Sequence, residues 1–412
     1  MIPVEQAEQL ILDVVQPFDP AREGESVELM AAVGRTLAVT VTSALDFPHW
    51  DNSAMDGYAV RFADVQNTTP EQAITLEVVE EIPAGTIPKK NIQPGQAARI
   101  LTGSMLPKGA DTVVMQENTE RQGTQVKILV VPERQEFVRP KGAFYQAGAP
   151  LLPAGLRLQA PEIAVLAAAQ CDRVTVYRRP RVAILSTGDE LVGLAQPLQP
   201  GQIVDSNRYA LMAQLMALGA EPVLLGIIPD RPDALRQAIA QAVDTADVVL
   251  SSGGVSVGDY DYVDGILAEL GAMIHLRSVA IRPGKPLTVA TFARSPRPVL
   301  YFGLPGNPVS ALVTFWRFVQ PALQKLMGRP QPWIPQFVTA TTRHTLKGAG
   351  RREAYLWGQV SLVNGHYEFS LPGGGHSSGN LINLAGTNGL AVVPLGETIV
   401  AAGDAVQVML IG

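Results

Sequence analysis

The strongest constraint on the fold is an alternation of short apolar strands with amphipathic helices across residues 181–328. Strand-like runs at Val182-Ile184-Leu185, Val223-Leu225-Ile227 and Val248–Leu250 are separated by helical spacing at Arg208–Leu218, Pro232–Val243 and Tyr262–Leu270. Strand-like stretches near Val279, Leu287 and Leu300 follow, and a long helix from Pro308 to Leu326 closes the unit. Strands alternating with helices predict a doubly wound parallel sheet covered on both faces. Ligands of such sheets sit beyond the carboxyl ends of the strands.

The rest of the chain is patterned differently. Ala7, Leu10, Ile11, Val14 and Val15 share one helical face, so a helix opens the chain over residues 4–15. Val27 to Val41 mixes helical spacing with β-branched residues. From Asp46 to about Gln146, short apolar alternations such as Ile74–Val78, Ala98–Leu101 and Val126–Val130 are divided by Pro-Gly and Pro-Lys-Gly turns, the pattern of a mostly β module. Helical spacing returns at Pro161–Gln170. The module at 46–146 therefore reads as an insertion in a helical and extended linker domain made of residues 1–45 and 147–180. The α/β domain occupies 181–329, and after Pro330, Pro332 and Pro335 a small β domain fills 330–412. The expected class is multidomain α/β plus β.

Composition narrows the function. The 412 residues exceed one hydrophobic core. A net charge of −6 argues against a partner held through nucleic-acid phosphates. The single cysteine, Cys171, has no internal disulfide partner and reads as a structural thiol. No run of eighteen apolar residues suggests a membrane span, and the N-terminus lacks the basic and apolar regions of a secretory signal, so a cytoplasmic protein is expected. The five histidines form no zinc-ligand spacing, and neither a Gly-x-Ser-x-Gly elbow nor a P-loop is present.

Four strand ends of the α/β domain finish in polar or glycine clusters. They are Ser186-Thr187-Gly188-Asp189-Glu190-Leu191, Pro229-Asp230, the run from Ser251 through Ser252, Gly253, Gly254 and Ser256 to Asp261, and Gly303-Leu304-Pro305-Gly306-Asn307-Pro308. Adjacent glycines let the backbone approach a bulky anion, although the same turn serves a βα connection that holds no ligand. Glu190, Asp230 and Asp261 together suit a hard cation such as Mg²⁺; singly, Asp189 and Asp230 stand where a helix cap could be. Asp205-Ser206-Asn207 would also cap a helix, with Asn207 free to hydrogen-bond a heterocycle.

Arg282-Pro283-Gly284-Lys285-Pro286 presents two cations on a proline-locked turn, an anion clamp or a solvated loop. In the β module, Asp51-Asn52-Ser53-Ala54-Met55-Asp56-Gly57-Tyr58-Ala59 is dense in small polar residues, as a binding loop or a tight Asp-Gly hairpin would be. Arg99-Ile100-Leu101-Thr102-Gly103 forms a second such corner.

Taken in order, D-N-S-A-M-D-G-Y-A, S-T-G-D-E-L, D-S-N, S-S-G-G-V-S-V-G-D-Y-D, R-P-G-K-P and G-L-P-G-N-P-V-S-A resemble the molybdopterin molybdenumtransferases, the family that includes the gephyrin E domain. The resemblance runs from residue 4 into the last domain. It implies an elongated homodimer of four-domain chains, a central domain like the molybdopterin adenylyltransferases, and a C-terminal small β-barrel. It also implies a reaction in which adenylylated molybdopterin and molybdate, aided by Mg²⁺, yield molybdenum cofactor and AMP. A molybdopterin adenylyltransferase and molybdoenzymes would be its protein partners. By motif match the functional carboxylates are Asp56, Glu190, Asp230 and Asp261. The substrate-binding positions are Thr102, Asp205, Asn207, Ser252, Gly253, Gly254, Ser256, Arg282, Lys285, Pro305, Asn307, Pro308 and Ser310. The active cleft would lie between the central domain of one subunit and the β module of the other.

The chain departs from the family pattern at Gly142-Ala143-Phe144, where Gly-Glu-Asp is usual, and at Arg231, where a second aspartate is common. Ser278, beside Arg277, takes the place of a lysine, and Trp357, near Arg351 and Arg352, that of an arginine. These departures concentrate where molybdate would be held. They leave room for an alternative, a gephyrin-like scaffold that binds a partner peptide. A weaker alternative is an adenylyltransferase acting one step earlier, which would have little use for the D-N-S-A-M-D-G-Y loop.

Overall fold

The computed structural model describes residues 1–412 except Pro70, residues 254–262 and Gly412. The chain divides into two compact units, one of Met1–Val39, Ala154–Gln159 and Arg173–Gly412, the other of Thr40–Pro153 and Ala160–Asp172.

The first unit is built on a six-stranded sheet in the order Glu221–Ile228, Arg181–Thr187, Val248–Ser252, Val299–Leu304, Pro286–Phe292, Ala272–Ser278. The first four strands are parallel, as expected. The fifth is antiparallel to both its neighbours, which corrects the all-parallel reading. The physical reason is length: Phe292 and Val299 are too close in sequence for a crossover helix, so the chain returns as a hairpin.

Alternate residues of these strands enter different cores. Val182, Ile184, Val248, Leu250, Leu300 and Phe302 face the helix Ser206–Leu218 and the long C-terminal helical segment. Ala183, Leu185, Val249, Ala290 and Tyr301 face Leu235, Ile239, Ile266 and Leu267 of the helices Pro232–Thr245 and Val263–Glu269. This period of two on a sheet buried on both sides is why the strands read as unbroken apolar runs. Each such Leu, Ile or Phe contributes about 1.5–3 kcal/mol by burial.

The expected long helix is present as Pro308–Thr314 and Gln320–Leu326 with a π-helical turn, Phe315–Val319, between them. Pro321 lacks the N–H that would continue the α-helical ladder, which accounts for the wider turn. Within that turn Arg317 is buried, donates to Tyr355 Oη at 2.9 Å and pairs with Glu8 of the opening helix Val4–Val14. The mixed segment Val27–Val41 forms no α-helix. Gly24–Glu28 instead pairs antiparallel with Arg173–Tyr177.

The C-terminal strands Glu353–Val363, His366–Ser370, Phe337–Thr342, Ala405–Leu410 and Gly389–Val393 pair in that order, and the last closes on the first. Closure leaves no free edge and makes the small β-barrel that the family resemblance implied.

The second unit carries a sheet ordered Thr112–Met115, Gly57–Val60, Gln96–Ile100, Ile74–Ile82, Gln125–Ile128, Thr119–Gln122, antiparallel except between Ile74–Ile82 and Gln96–Ile100. Tyr58, Val60, Leu76, Val114 and Val126 fill one side, and Ala59, Ile82, Ile100 and Val113 the other.

Candidate active site

Within the first unit, the polar strand ends meet at the carboxyl edge of the sheet. The turn after Arg181–Thr187 is held by a parallel pairing of Leu191–Val192 with Ile203–Val204, which carries Asp205 and Asn207 to the same edge. Asp205 caps the helix Ser206–Leu218, accepting from the Arg208 N–H at 3.2 Å, so its capping role holds. Asn207 donates to Ser252 Oγ and to the Gly306 carbonyl, both at 2.7 Å, and so binds two strand ends to each other.

The cap readings for Asp189 and Asp230 do not hold. Arg231, not Asp230, is the cap residue of Pro232–Thr245, and no side chain closes that helix end. Asp189 Oδ1 instead accepts from the Asp230 N–H at 3.2 Å. Burial first, and then the charges of Asp189 and Glu190, push the Asp230 carboxyl above its ordinary value. Three carboxylates therefore sit within electrostatic reach. Glu190 folds back over Gly188, where a Cβ would lie 2.7 Å from its Oε2; with φ +148° only glycine is at ease there.

Gly253 has a structural role as well. A Cβ at this residue would lie 2.4 Å from the Thr187 carbonyl, so the glycine is needed for strand packing whether or not an anion binds. Its neighbours on the motif, Gly254, Ser256 and Asp261, lie outside the described residues. At the next strand end Pro305 and Pro308 flank Gly306 and Asn307. Asn307 Nδ2 donates to Ser378 Oγ at 3.3 Å, and the Val309 N–H to the Ser378 carbonyl at 3.2 Å. Ser310 is buried in the helix that follows.

The Arg282–Lys285 turn stands beside this helix: a Cβ on Gly284 would lie 2.6 Å from Thr314 Cγ2 and 3.6 Å from the Ser310 carbonyl. Arg282 and Lys285 are exposed, and neither forms an ion pair among the described residues.

Two buried hydroxyls at this edge, Ser186 Oγ and Thr187 Oγ1, have no hydrogen-bond partner among the described residues, whereas the buried Asp205 Oδ2 is ion-paired with Arg208 Nε at 3.5 Å. Buried polar atoms are ordinarily bonded, so such a group calls for a ligand or water. Among the described residues no three acidic, histidine or cysteine side chains approach closely enough to form a metal shell by themselves.

Within the second unit, Asp56 and Thr102 are brought together. Asp56 Oδ1 accepts from both the Thr102 N–H and its hydroxyl at 2.7 Å, which holds the carboxyl below its ordinary value, with Arg99 assisting. Asp56-Gly57 is not a two-residue hairpin. Asn52–Ser53 pairs with Val138–Arg139, whereas Gly57–Val60 pairs with Gln96–Ile100 and Thr112–Met115. Phe144 is highly exposed. Cys171 is half-buried and burial pushes its thiol up, which disfavours a nucleophile.

Of the substituted positions, Trp357 is buried in the barrel strand with its ring 4.6 Å from His376, and Arg277 is paired with Asp264 at 2.5 Å. Sequence reasoning missed Asp189 as a member of the carboxylate group and Ser378 as a contact of Asn307. Adjacency to Glu190 was the available signal for the first, and the Gly373-Gly374-Gly375-His376-Ser377-Ser378 run for the second.

A doubly wound domain with acidic and hydroxyl groups at its carboxyl edge, together with a closed five-stranded barrel, defines a multidomain α/β protein. Residues 2–169 match the model described as MoeA N-terminal region (domain I and II), 183–325 the probable molybdopterin binding domain, and 339–411 the MoeA C-terminal region (domain IV). The chain is 61% identical to the molybdopterin molybdenumtransferase of a Nostoc species, over 98% of this chain and 93% of that one. It is 37% identical to the Haemophilus influenzae protein of the same name, over 85% and 84%. The crystal structure of a molybdopterin biosynthesis moeA protein from Pyrococcus horikoshii superposes with a TM-score of 0.84 at 28% identity, covering both chains fully. The chain belongs to the molybdopterin molybdenumtransferase family.

Proposed function

We propose that this protein inserts molybdenum into adenylylated molybdopterin, forming molybdenum cofactor and releasing AMP. The observation that carries the reading is the pair of buried hydroxyls of Ser186 and Thr187, which have no hydrogen-bond partner among the described residues, on the strand end that leads into the carboxylates of Asp189 and Glu190, whose charges reach Asp230. Both N–H groups of Asn207 are engaged by Ser252 and Gly306, so only its Oδ1 remains, an acceptor suited to a heterocycle N–H. The hydroxyls of Ser186 and Thr187 can donate to phosphate oxygens. Exposed Arg282 and Lys285 supply positive charge for the molybdate and phosphate oxyanions. No observation favours the scaffold alternative.

Mg²⁺ dependence is part of the proposal. Glu190 and Asp230, with Asp261 by motif, are all oxygen donors, and a hard cation would offset both the burial of the Asp230 carboxyl and the neighbouring charges of Asp189 and Glu190 that together raise it. When bound, Mg²⁺ would neutralise charge on the phosphoanhydride. Asp56, fixed by Thr102, is ionised at neutral pH and is assigned to the same reaction by motif match. Self-association as a homodimer rests on the family resemblance; sedimentation equilibrium showing only the 43.9 kDa monomer would refute it.

The test is to incubate purified protein with adenylylated molybdopterin, molybdate and Mg²⁺ and to measure AMP. Release that needs molybdate, and that chelation of Mg²⁺ abolishes, is expected. No AMP from a folded protein, with a substrate preparation that a relative converts, would overturn the reading.

A further inference from the structure

We infer that the arginine-lined cleft at the amino end of the strand Arg181–Thr187, opposite the candidate active site, binds one small inorganic oxyanion of the phosphate class. The cleft is lined by Gly34, Arg35, Tyr177, Arg179, Leu218 and Arg329 among others; Arg178 is a fourth arginine, and the lining includes no carboxylate. The cleft is open to solvent on one side, and the ≈250 Å³ of space between its walls includes that solvent. A compact oxyanion would sit in this open mouth, against the guanidinium groups that line it.

The charges do not balance within the protein. Arg178 is neutralised by Asp247 at 2.7 Å, and Arg35 by Glu25. Arg179, Arg329 and the nearby Arg157 have no carboxylate partner among the described residues.

Their remaining contacts are to backbone: Arg157 donates to the Gly34 carbonyl at 3.3 Å and Arg329 to the Leu218 carbonyl at 3.1 Å. Leu218 ends a helix, whose partial negative charge offsets only part of this excess. Capping of carbonyls therefore accounts for one N–H of each guanidinium and leaves others over. Arg35 Nε and Arg329 Nε are buried with no partner among the described residues, and the Arg35 side chain is only 10% exposed. Burial, with the charge of Arg157 adding to it, lowers Arg329 to about 10, as happens to a buried cation. An oxyanion has the charge and the several acceptor lone pairs that this cleft lacks.

The experiment uses the full chain. Crystals soaked in selenate, a phosphate-class anion located by its anomalous scattering, should show one peak in the cleft. Calorimetric titration with sodium phosphate at constant ionic strength should give an affinity that Arg329→Gln and Arg179→Gln each weaken at least about tenfold. Arg179 is exposed, so Arg179→Gln keeps the test open if Arg329→Gln does not fold. Arg179→Gln should leave AMP release within about twofold, which separates this anion from any bound in the active site. No peak in the cleft, or a phosphate affinity unchanged in both variants, overturns the proposal.

Discussion

One oxygen of Asp56 receives two hydrogen bonds from a single residue, the backbone N–H and the hydroxyl of Thr102, each at 2.7 Å. The pair joins two loops 46 residues apart and keeps an exposed carboxylate ionised. The hydroxyl is the larger cause of the lowered value. Thr102→Val, which keeps the shape and the backbone donor, should therefore raise the Asp56 midpoint toward the ordinary carboxylate value. Carbon-detected NMR titration of the Asp56 carboxyl reads this directly; an unmoved midpoint would assign the effect elsewhere.

Asp230 behaves in the opposite sense. Its folded value is raised, so its contribution to stability is present below the unfolded value and is lost as pH rises through the folded one. At neutral pH the ionised group works against folding. Asp230→Asn should raise the melting temperature at neutral pH by the equivalent of less than about 1 kcal/mol, since the carboxyl is only partly buried and solvent screens it, with the gain vanishing near about pH 4. The same variant should lose at least about a hundredfold in AMP release. Melting curves across this range that run parallel would contradict the charge argument.

Asn207 offers a test that separates shape from hydrogen bonding. Asn207→Asp is nearly isosteric but sets an acceptor against the Gly306 carbonyl and removes the donor to Ser252. It should cost as much as Asn207→Ala, about 1–3 kcal/mol in urea unfolding, with a fall in kcat. If Asn207→Asp keeps full stability and turnover, the bridge has no role in the site.

Two glycines predict different outcomes from the same substitution. Gly284→Ala would place a Cβ 2.6 Å from Thr314 Cγ2 at φ +107° and should destabilise by about 1–3 kcal/mol. Thr314→Ser removes that methyl and should restore part of the loss. Gly253→Ala meets the Thr187 carbonyl at 2.4 Å, and no side-chain trimming relieves a clash with backbone. Urea midpoints of the single and double variants check both statements, and a Gly284→Ala protein unaffected by Thr314→Ser would refute the steric account.

The sequence by itself determined the strand and helix alternation of residues 181–328, the β character of the module and the tail, and the run of motifs that marks the family. These are local: period two or 3.6, or neighbours within one turn, each read from a few adjacent side chains. It also singled out Asp56, Thr102, Glu190, Asp230 and Asn207 as polar residues at element ends.

Only the tertiary structure decided what those residues do. Asp189 serves Asp230 across 41 residues, and Asn207 joins Ser252 across 45 and Gly306 across 99. The fifth sheet strand runs backward because its connection is short, and Arg35 and Arg329 share a cleft from near opposite ends of the chain. Hydrogen bonds and charge repulsion act through a few ångströms of space. Which residues come within that distance is decided by how the cores pack, and the spacing along the chain does not encode it.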